Sequence, residues 1–369
     1  MSSASEPVAT SSRAPGHRPG RRRQSFRRRI DEALHAELAR HGVEALADGH
    51  PIFDELPQAM ERAAEASANR IVPVLLNTTR RAAAREARWW RRYSRSLRKP
   101  WGRTFDLYAC YVRGCEEICE ELLEDETESR DDLTLAVVGQ LALLAMRAGW
   151  EVHRLITAGL PEGAGARART IHEVVVIVTL LLEDETGTLV ERFDDHRVIR
   201  QLHWAEQLTR LTADGRLSAD RALDPDQLTF LRLERDRLIG KHGRRFDSLY
   251  GWATPLTRDP TFERLEHLAG FGHMRPTYAE NSLPVHPQSW ALDLALVDGV
   301  AVSRGRHVHL AEPITAATVS MMHMVTALLA ALPHDPSPAD AMYMKVLMKL
   351  SAETQAAAIA ATEDTAIGE

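Results

Sequence analysis

The feature that most constrains the fold of this chain is a pair of opposite charges at the start of an apolar run. Arg169 and Glu173 stand four residues apart, and the segment 174–182 that follows contains Thr179 as its single polar residue. In a helix, this spacing places both side chains on one face. Burying two charges costs several kcal/mol per ion unless each finds further partners. The pair therefore predicts either a buried structural clamp or a polar pocket, and it specifies no reaction.

Helical periodicity over most of the chain predicts an all-α protein with a multi-helix, bundle-like core. The apolar stretches 133–146 and 174–182 are too short to span a bilayer and are typical of core segments, so we expect no membrane contact. Asp224 and Pro225 predict the start of a helix that ends before Gly243. Two turn signals between alternating apolar residues predict one small β-hairpin near 296–310.

Changes in composition divide the chain into regions. We expect a disordered Arg-rich tail at 1–28, a helical N-terminal extension with a basic helix at 29–103, a helical core domain at 104–333, and a C-terminal helix and tail at 334–369. Within the extension, Pro73 and Asn77 predict an interruption of the helix, and Pro100 predicts its end.

Positive charge is concentrated in two segments. Residues 1–29 hold eight arginines and Glu6, a net +7, and residues 80–103 hold ten basic residues and Glu86, a net +9. The total of −6 leaves −22 for the rest of the chain. This asymmetry raises the hypothesis that segments 13–29 and 80–103 bind nucleic acid. A solvated leader is favoured for the first segment, and a helix that packs its tryptophans inward is favoured for the second.

The three cysteines give no metal site, and no cofactor is expected. Cys110, Cys115 and Cys119 lie within ten residues, and a helix would spread them too widely to close on one ion. Reduced thiols are the favoured interpretation. The N-terminus has no apolar segment typical of a secretory signal, although its Ser- and Arg-rich composition also resembles a transit peptide. A cytoplasmic location is favoured.

Arginine and histidine recur at a spacing that resembles the ribonuclease motif of HEPN-type helical proteins. In those proteins, arginine and histidine orient a phosphate and promote attack by a 2′-hydroxyl. The matches here are Arg147 with His153, Arg197 with His203, and Arg237 with His242. Chance spacing on surface helices is favoured for any single match. Arg147 and His153 are the best placed, because they end the most apolar helix.

A second polar set lies near residue 280. Tyr278, Ser282 and His286 recur every four residues, so one helical face would present a phenol, a hydroxyl and an imidazole. Pro284 distorts the last turn of such a helix. Serine with histidine suggests a hydrolase, but the Gly-rich nucleophile elbow is missing. A hydrogen-bonded polar core and a functional pocket are equally compatible with this pattern.

Three separate pieces of the chain carry a resemblance to a known family. They are Ala166-x-x-Arg169-Thr-Ile-x-Glu173, Tyr250-Gly-Trp252-Ala, and Tyr278-x3-Ser282-x3-His286-Pro. Together they resemble the bacterial domain-of-unknown-function family DUF5677 over roughly residues 100–333. The resemblance implies a largely helical fold without an established activity. It also implies that the arginine, glutamate, tyrosine, serine and histidine of these pieces form one site.

Three classes of function are compatible with these residues, and whether the chain is an enzyme stays open. The first is a pocket that binds a phosphate-bearing or other small polar ligand. The second is a HEPN-like, metal-independent ribonuclease acting on RNA in stress or defence. The third is a non-catalytic interaction or scaffold protein, which a homodimer would fit. The candidate catalytic residues are His286, Arg169 and Glu173, and the candidate ligand-binding residues are Tyr278, Ser282, Arg147 and His153.

Overall fold

The computed structural model describes residues 52–124, 133–221, 223–283, 285, 296–297, 300–301, 309–331 and 338–367. The chain divides into two compact units, Met1–Trp89 and Trp90–Glu369. The predicted tail at 1–28, the basic segment 13–29 and His286 lie outside the described residues. The first unit contributes the N-terminal part of a long helix, and the second contains all the other elements described below.

Nearly all of the described residues are helical, so the predicted all-α class is confirmed. The α-helices of the described part are α1 (Ile52–Glu124), α2 (Leu133–Thr157), α3 (Pro161–Leu182), α4 (Thr188–Ala213), α5 (Pro225–His242), α6 (Phe262–Leu268), α7 (Arg275–Ser282), α8 (Ala311–Ala331) and α9 (Pro338–Ile367). Short 3-10 helices cover Ala219–Arg221, Arg244–Asp247, Gly251–Ala253 and Gly272–Met274.

The predicted hairpin near 296–310 is not supported as an element of the fold. In that region the structure describes two strands of two residues each, Leu296–Val297 and Val300–Ala301, paired antiparallel. A two-stranded pair is marginal on its own even when it is longer, because it has almost no face to bury. The prediction drawn from alternating apolar residues and turn signals therefore gave this segment more strand than the structure has.

Helix α1 corrects the predicted breaks at Pro73, Asn77 and Pro100, because it continues through all three. An interior proline removes one backbone hydrogen bond and crowds the carbonyl four residues earlier, which costs about 3 kcal/mol. Around Pro100 this cost is offset by the burial of Leu97 and Trp101, which are 3% and 1% exposed. The domain boundary predicted at 103/104 consequently falls inside one helix.

Helix α3 is the central element of the second unit and packs along α2 and α8. It begins with Pro161, whose fixed φ suits the first turn of a helix. Its β-branched run is buried on several sides, with Ile171, Val175 and Leu181 fully enclosed. Helices α6 and α7 also pack against α3, which brings residues 262–282 next to residues 164–175. This arrangement positions the candidate site.

The part of α1 after residue 100 joins the same core through buried tyrosines. The Tyr111 hydroxyl donates to the Thr318 carbonyl of α8 at 2.8 Å, and the Tyr108 hydroxyl donates to the Gly149 carbonyl of α2 at 3.3 Å. Both side chains are fully buried, so each hydroxyl needs such an acceptor. These bonds fix the position of α1 against α2 and α8.

Helices α2 and α8 are each long and apolar enough to cross a membrane, judged by length and composition. Their windows have mean hydropathies of 1.4 and 1.6. Helix α2 has 25 residues and extends beyond the apolar stretch 133–146 that was compared with a bilayer in the sequence analysis. In the structure both helices pack against α3 and contribute buried residues to its core, among them Val138, Met146, Ile314 and Met321.

A buried arginine fastens the connection between α5 and α6. The Arg192 guanidinium of α4 donates to the carbonyls of Trp252 and Gly251 at 2.9 and 3.0 Å and to the Thr254 hydroxyl at 2.6 Å. All three of these acceptors are neutral oxygens, so backbone and hydroxyl dipoles stabilise the charge at close range. The α5 helix before this connection begins as predicted, with Asp224 accepting from the Asp226 amide.

The glycine that Arg192 contacts allows a test of this connection. A Cβ atom at Gly251 would collide with the backbone of Phe246, so we expect Gly251→Ala to lower the free energy of unfolding by about 2–3 kcal/mol or more. Gly240 in α5 faces open space, so Gly240→Ala should instead raise it by about 0.5–1 kcal/mol. Urea denaturation of both variants measures the difference. Equal effects would contradict the tight approach at Gly251.

Candidate functional site

The structure brings three of the predicted site residues together between α3 and α7. The Arg169 Nε donates to Glu173 Oε1 at 2.8 Å, and the Tyr278 hydroxyl donates to the same oxygen at 2.8 Å. The Arg169 guanidinium carbon lies 4.9 Å from the centroid of the Tyr278 ring. One carboxylate oxygen thus joins two helices that are about a hundred residues apart in the chain. We call Arg169, Glu173 and Tyr278 the α3–α7 cluster.

Most of this cluster is screened from water. The Arg169 and Glu173 side chains are 18% and 34% exposed. The Nη1 atom of Arg169 is buried and has no hydrogen-bond acceptor among the described residues. A buried donor without an acceptor costs about 1–3 kcal/mol. The cluster is therefore not a fully satisfied clamp, because one buried guanidinium donor lacks an acceptor in the described part of the chain.

A second polar pair lies beside the cluster and is buried more deeply. His172 of α3 and Glu266 of α6 are joined by a 2.7 Å contact between Nε2 and Oε1, and their side chains are 7% and 1% exposed. The other oxygen of Glu266 accepts from Arg275 Nη1 at 3.2 Å. The Arg275 guanidinium carbon also lies 5.0 Å from the centroid of the Tyr278 ring. Arg275 therefore links the buried pair to the α3–α7 cluster.

Burial controls the protonation of these groups. It lowers the pKa of His172 despite the opposing effect of Glu266, so the ring favours its neutral form. Burial also raises the pKa of Tyr278 well above its usual range, and the hydrogen bond and charge of Glu173 raise it further. Tyr278 thus stays a hydrogen-bond donor at all ordinary pH values. Burial lowers the pKa of Arg169, but Glu173 outweighs this effect and keeps the guanidinium charged.

A cavity of about 830 Å³ opens next to Arg275 and Glu266. Its titratable lining consists of Asp259, Glu263, Arg264, Glu266, His267 and Arg275. Arg169, Glu173 and Tyr278 are not among the lining residues, and Tyr278 is connected to the cavity through its contact with Arg275. A second cavity of about 540 Å³ between α4 and α5 is mainly apolar and includes Trp204 and Phe230.

Reasoning from the sequence missed the residues that line this cavity. The signal was present in α6, where Glu266 follows Phe262 by four residues and lies on the apolar face with Leu265 and Ala269. A carboxylate on an apolar face is the same pattern that identified Glu173 in α3. Helix α6 has only seven residues, so its apolar face is too short to show a clear helical period in the sequence.

Ser282 does not present a free nucleophile. Its hydroxyl donates to the Tyr278 carbonyl of its own helix at 2.6 Å, as serine residues near helix ends commonly do. Helix α7 ends at Ser282, four residues before His286. His286 lies outside the described residues, so its position on one face with Tyr278 and Ser282 stays a prediction.

Arg147 and His153 do not converge on a common point. Arg147 is 80% exposed and pairs with Glu151 at 3.5 Å. His153 turns toward α1, where its ring stacks on Tyr108 at 6.4 Å between centroids, and its Nδ1 is buried without a hydrogen-bond partner in the described part of the chain. Six residues on a helix correspond to a rotation of about 240°, which accounts for the separation. The two side chains thus lie in different environments, and a joint role for them stays a prediction.

The thiols and carboxylates give no metal centre in the described part of the chain, where no group of three or more histidine, cysteine or acidic side chains could hold an ion. Cys115 and Cys119 are buried and Cys110 is exposed, and all three are free. Burial raises the pKa of Cys115 to about 12, so this thiol is protonated and packs as an apolar side chain.

Comparison with known proteins gives a match to one family model. Residues 135–299 match the model of a family described as a family of unknown function, DUF5677. The matched region contains α2 through α7, and with them the α3–α7 cluster, His172, Glu266 and Arg275. The resemblance inferred from three short pieces of sequence is therefore confirmed. No curated protein and no solved structure gives a significant match.

Removing the arginine of the cluster tests its energetic role. We expect Arg169→Ala to lower the free energy of unfolding by about 1–3 kcal/mol, because Glu173 would lose its charged partner in a partly buried setting. Arg113 provides a matched control, since it bonds Glu117 with the same i,i+4 order at 2.9 Å on an exposed face. Arg113→Ala should cost much less. Equal losses in urea denaturation would contradict the burial of the cluster.

The buried histidines predict a pH dependence of stability. Burial lowers the pKa values of His153, His172, His196 and His323. Histidine in the unfolded chain titrates near pH 6.5. Below that pH, the unfolded chain therefore binds more protons than the folded chain. Stability should be full above about pH 6.5 and fall as the pH is lowered from there. Urea denaturation at pH 7.5, 6.5 and 5.5 measures this.

A variant identifies the histidines as the cause. His153→Phe keeps a flat ring against Tyr108 and removes one titrating group, so its stability should fall less between pH 7.5 and 5.5 than that of the wild type. A wild-type protein with constant stability over that interval would refute the expected dependence.

Proposed function

We propose that this chain, whose central part matches a family without a known activity, binds a small polar molecule in the cavity next to Arg275. The ligand would carry an anionic group, such as a carboxylate or a phosphate, together with hydrogen-bond donors. The observation that carries this proposal is the position of Arg275. Its guanidinium lines the cavity while buried groups hold it from behind.

Arg275 is positioned before any ligand arrives. Glu266 accepts from its Nη1, Glu263 lies 3.9 Å from its Nη2, and the Tyr278 ring supports the guanidinium plane. The side chain is 38% exposed, so part of it faces the cavity. A guanidinium fixed in this way loses little conformational freedom on binding a carboxylate or phosphate through two N–H groups.

The cavity also contains a second cation and two accessible carboxylates. Arg264 donates to the Asp259 carbonyl at 2.6 Å, which fixes it on the same wall. The carboxylates of Asp259 and Glu263 would repel a ligand that is only negative. They favour a ligand that carries amino or hydroxyl groups besides its anionic end. This mixed lining is the reason for proposing a small polar molecule rather than a simple polyanion.

The other two classes receive less support from the described residues. A ribonuclease would require arginine and histidine at one point, and Arg147 and His153 lie in different environments. A scaffold would account for the α3–α7 cluster as a device that fixes helix register, but it gives no role to the charged cavity. We place the protein in the cytoplasm as part of this proposal, since its three free cysteines suit a reducing compartment.

A thermal-melting screen tests the proposal. The panel contains inorganic phosphate, sugar phosphates, nucleoside monophosphates, hydroxy acids and amino acids. A compound present at a hundred times its Kd stabilises the folded state by about 2.7 kcal/mol, so at least one compound should raise the melting temperature by several degrees. Arg264→Gln should reduce that shift, and Arg216→Gln, which changes an exposed arginine in a distant turn, should leave it intact.

Two results would refute the ligand proposal. The first is a panel without any compound that raises the melting temperature of the wild type. The second is a shift that persists unchanged in both Arg264→Gln and Arg275→Gln. Arg264→Gln is the cleaner of the two variants, because Arg275→Gln also leaves the buried Glu266 without its cation.

A further inference from the structure

We infer that the exposed face of α1 between Arg91 and Arg103 binds the phosphate backbone of double-stranded nucleic acid. This segment of thirteen residues contains six cations and no acidic residue. The cations are Arg91, Arg92, Arg95, Arg98, Lys99 and Arg103, and all six side chains are exposed. We call them the α1 stripe. It lies within the second unit of the chain and shares no residue with the cavity next to Arg275.

The helix separates these charges from its apolar side chains. At about 100° per residue, the six cations occupy an arc of about 140° and extend about 18 Å along the axis. Leu97 and Trp101 lie on the opposite side and are 3% and 1% exposed. The apolar side of this segment is therefore fixed in the core of the second unit, while the cationic side faces solvent.

Most of this charge is not neutralised within the described part of the chain. Ion pairs are present for Arg98 with Asp106 at 2.9 Å and for Arg103 with Glu353 at 3.6 Å. The remaining four cations have none there. Like charges three or four residues apart destabilise a helix, and Arg95 has such neighbours on both sides. The whole chain has a net charge of −6, yet mutually repelling cations are concentrated on this face of α1. Such a surface is suited to binding a polyanion.

The chemistry of the stripe favours nucleic acid backbone. Five of its six side chains are arginines, whose planar guanidinium matches a phosphate through two hydrogen bonds. Base stacking would need aromatic rings on the same arc, but the two aromatic residues of this segment, Tyr93 and Trp101, both lie outside it. The stripe therefore recognises phosphates rather than bases. The length of about 18 Å covers several phosphates of a duplex, which carries one charge per ~1.7 Å of its axis.

A membrane surface fits this segment less well. An amphipathic helix that binds a bilayer inserts its apolar face among the acyl chains. Here that face consists of Leu97 and Trp101, and the core of the second unit already covers it. Only the electrostatic part of membrane binding would be available. A vesicle arm in the experiment decides between the two surfaces.

Fluorescence anisotropy with the full chain and a labelled 25-base-pair DNA duplex tests the inference, with titrations at 50, 100 and 200 mM KCl. The wild type should bind, and its affinity should fall steeply with salt. The triple variant Arg92→Gln, Arg95→Gln, Lys99→Gln should bind at least tenfold more weakly at 100 mM. The slope of log affinity against log salt should decrease by about 2–3, because each lost phosphate contact contributes about 0.9.

Two matched variants show whether the position of the charge matters. Arg210→Gln, Arg216→Gln, Arg221→Gln removes the same number of charges from exposed positions elsewhere and should leave binding near the wild-type level. Arg92→Lys, Arg95→Lys keeps the charge of the stripe and should preserve most of the salt slope. Melting temperatures of all variants confirm that they fold.

Several outcomes would overturn the inference. They are a wild type that does not bind the duplex at 50 mM KCl, equal losses in the two triple variants, and binding that the stripe variant does not weaken. The last result would assign binding to another segment, such as the Arg-rich N-terminal residues. A fourth is retention of the wild type on phosphatidylserine vesicles with no binding to DNA. A labelled 25-nucleotide single-stranded RNA, expected to bind more weakly than the duplex, completes the comparison.

Discussion

The carboxylate of Glu173 is the group on which the arrangement of the second unit depends. It lies in α3, which contacts α2, α4, α6, α7 and α8, and the run 174–182 that follows it contains Thr179 as its single polar residue. Arg169 supplies a charge from the same helix, but the second hydrogen bond must come from elsewhere in the chain. Tyr278 supplies it, and α7 can reach Glu173 only when residues 243–274 fold back over α3. The need of the Glu173 carboxylate for a second hydrogen-bond donor thereby links α3 to α7, about a hundred residues later in the chain.

Part of this architecture follows from the sequence because the physics is local. The i,i+4 spacing of Arg169 and Glu173, the cap at Asp224 and the helical class all depend on neighbours within one or two turns. The continuity of α1 through Pro100 could not be derived in this way, since it depends on core burial of Leu97 and Trp101. The different environments of Arg147 and His153 reflect a rotation of about 240° over six helical residues, and they depend on which neighbours pack against each face. The cavity was not predicted, because α6 has only seven residues and shows no clear helical period in the sequence.

Two kinds of charged surface coexist in the second unit and differ in how their cations are held. Around the cavity, Arg275 is enclosed by carboxylates and an aromatic ring, so its orientation is fixed and the local charge is nearly balanced. Along α1, the arginines extend into solvent and the charge accumulates. The first arrangement suits a small molecule that must be recognised by shape and by several polar groups. The second suits a long, uniform polymer whose phosphates repeat and whose sequence is not read.

The Arg192 anchor carries an evolutionary consequence. Its guanidinium donates to the carbonyls of Gly251 and Trp252, and the backbone of Phe246 leaves no room for a side chain at the glycine. A descendant of this chain that replaced the arginine would remove the guanidinium donor from both carbonyls, and one that replaced the glycine would displace the backbone that the arginine contacts. Neither change is tolerable before the other, so the two positions should diverge only in lineages where the whole connection between α5 and α6 has been rebuilt.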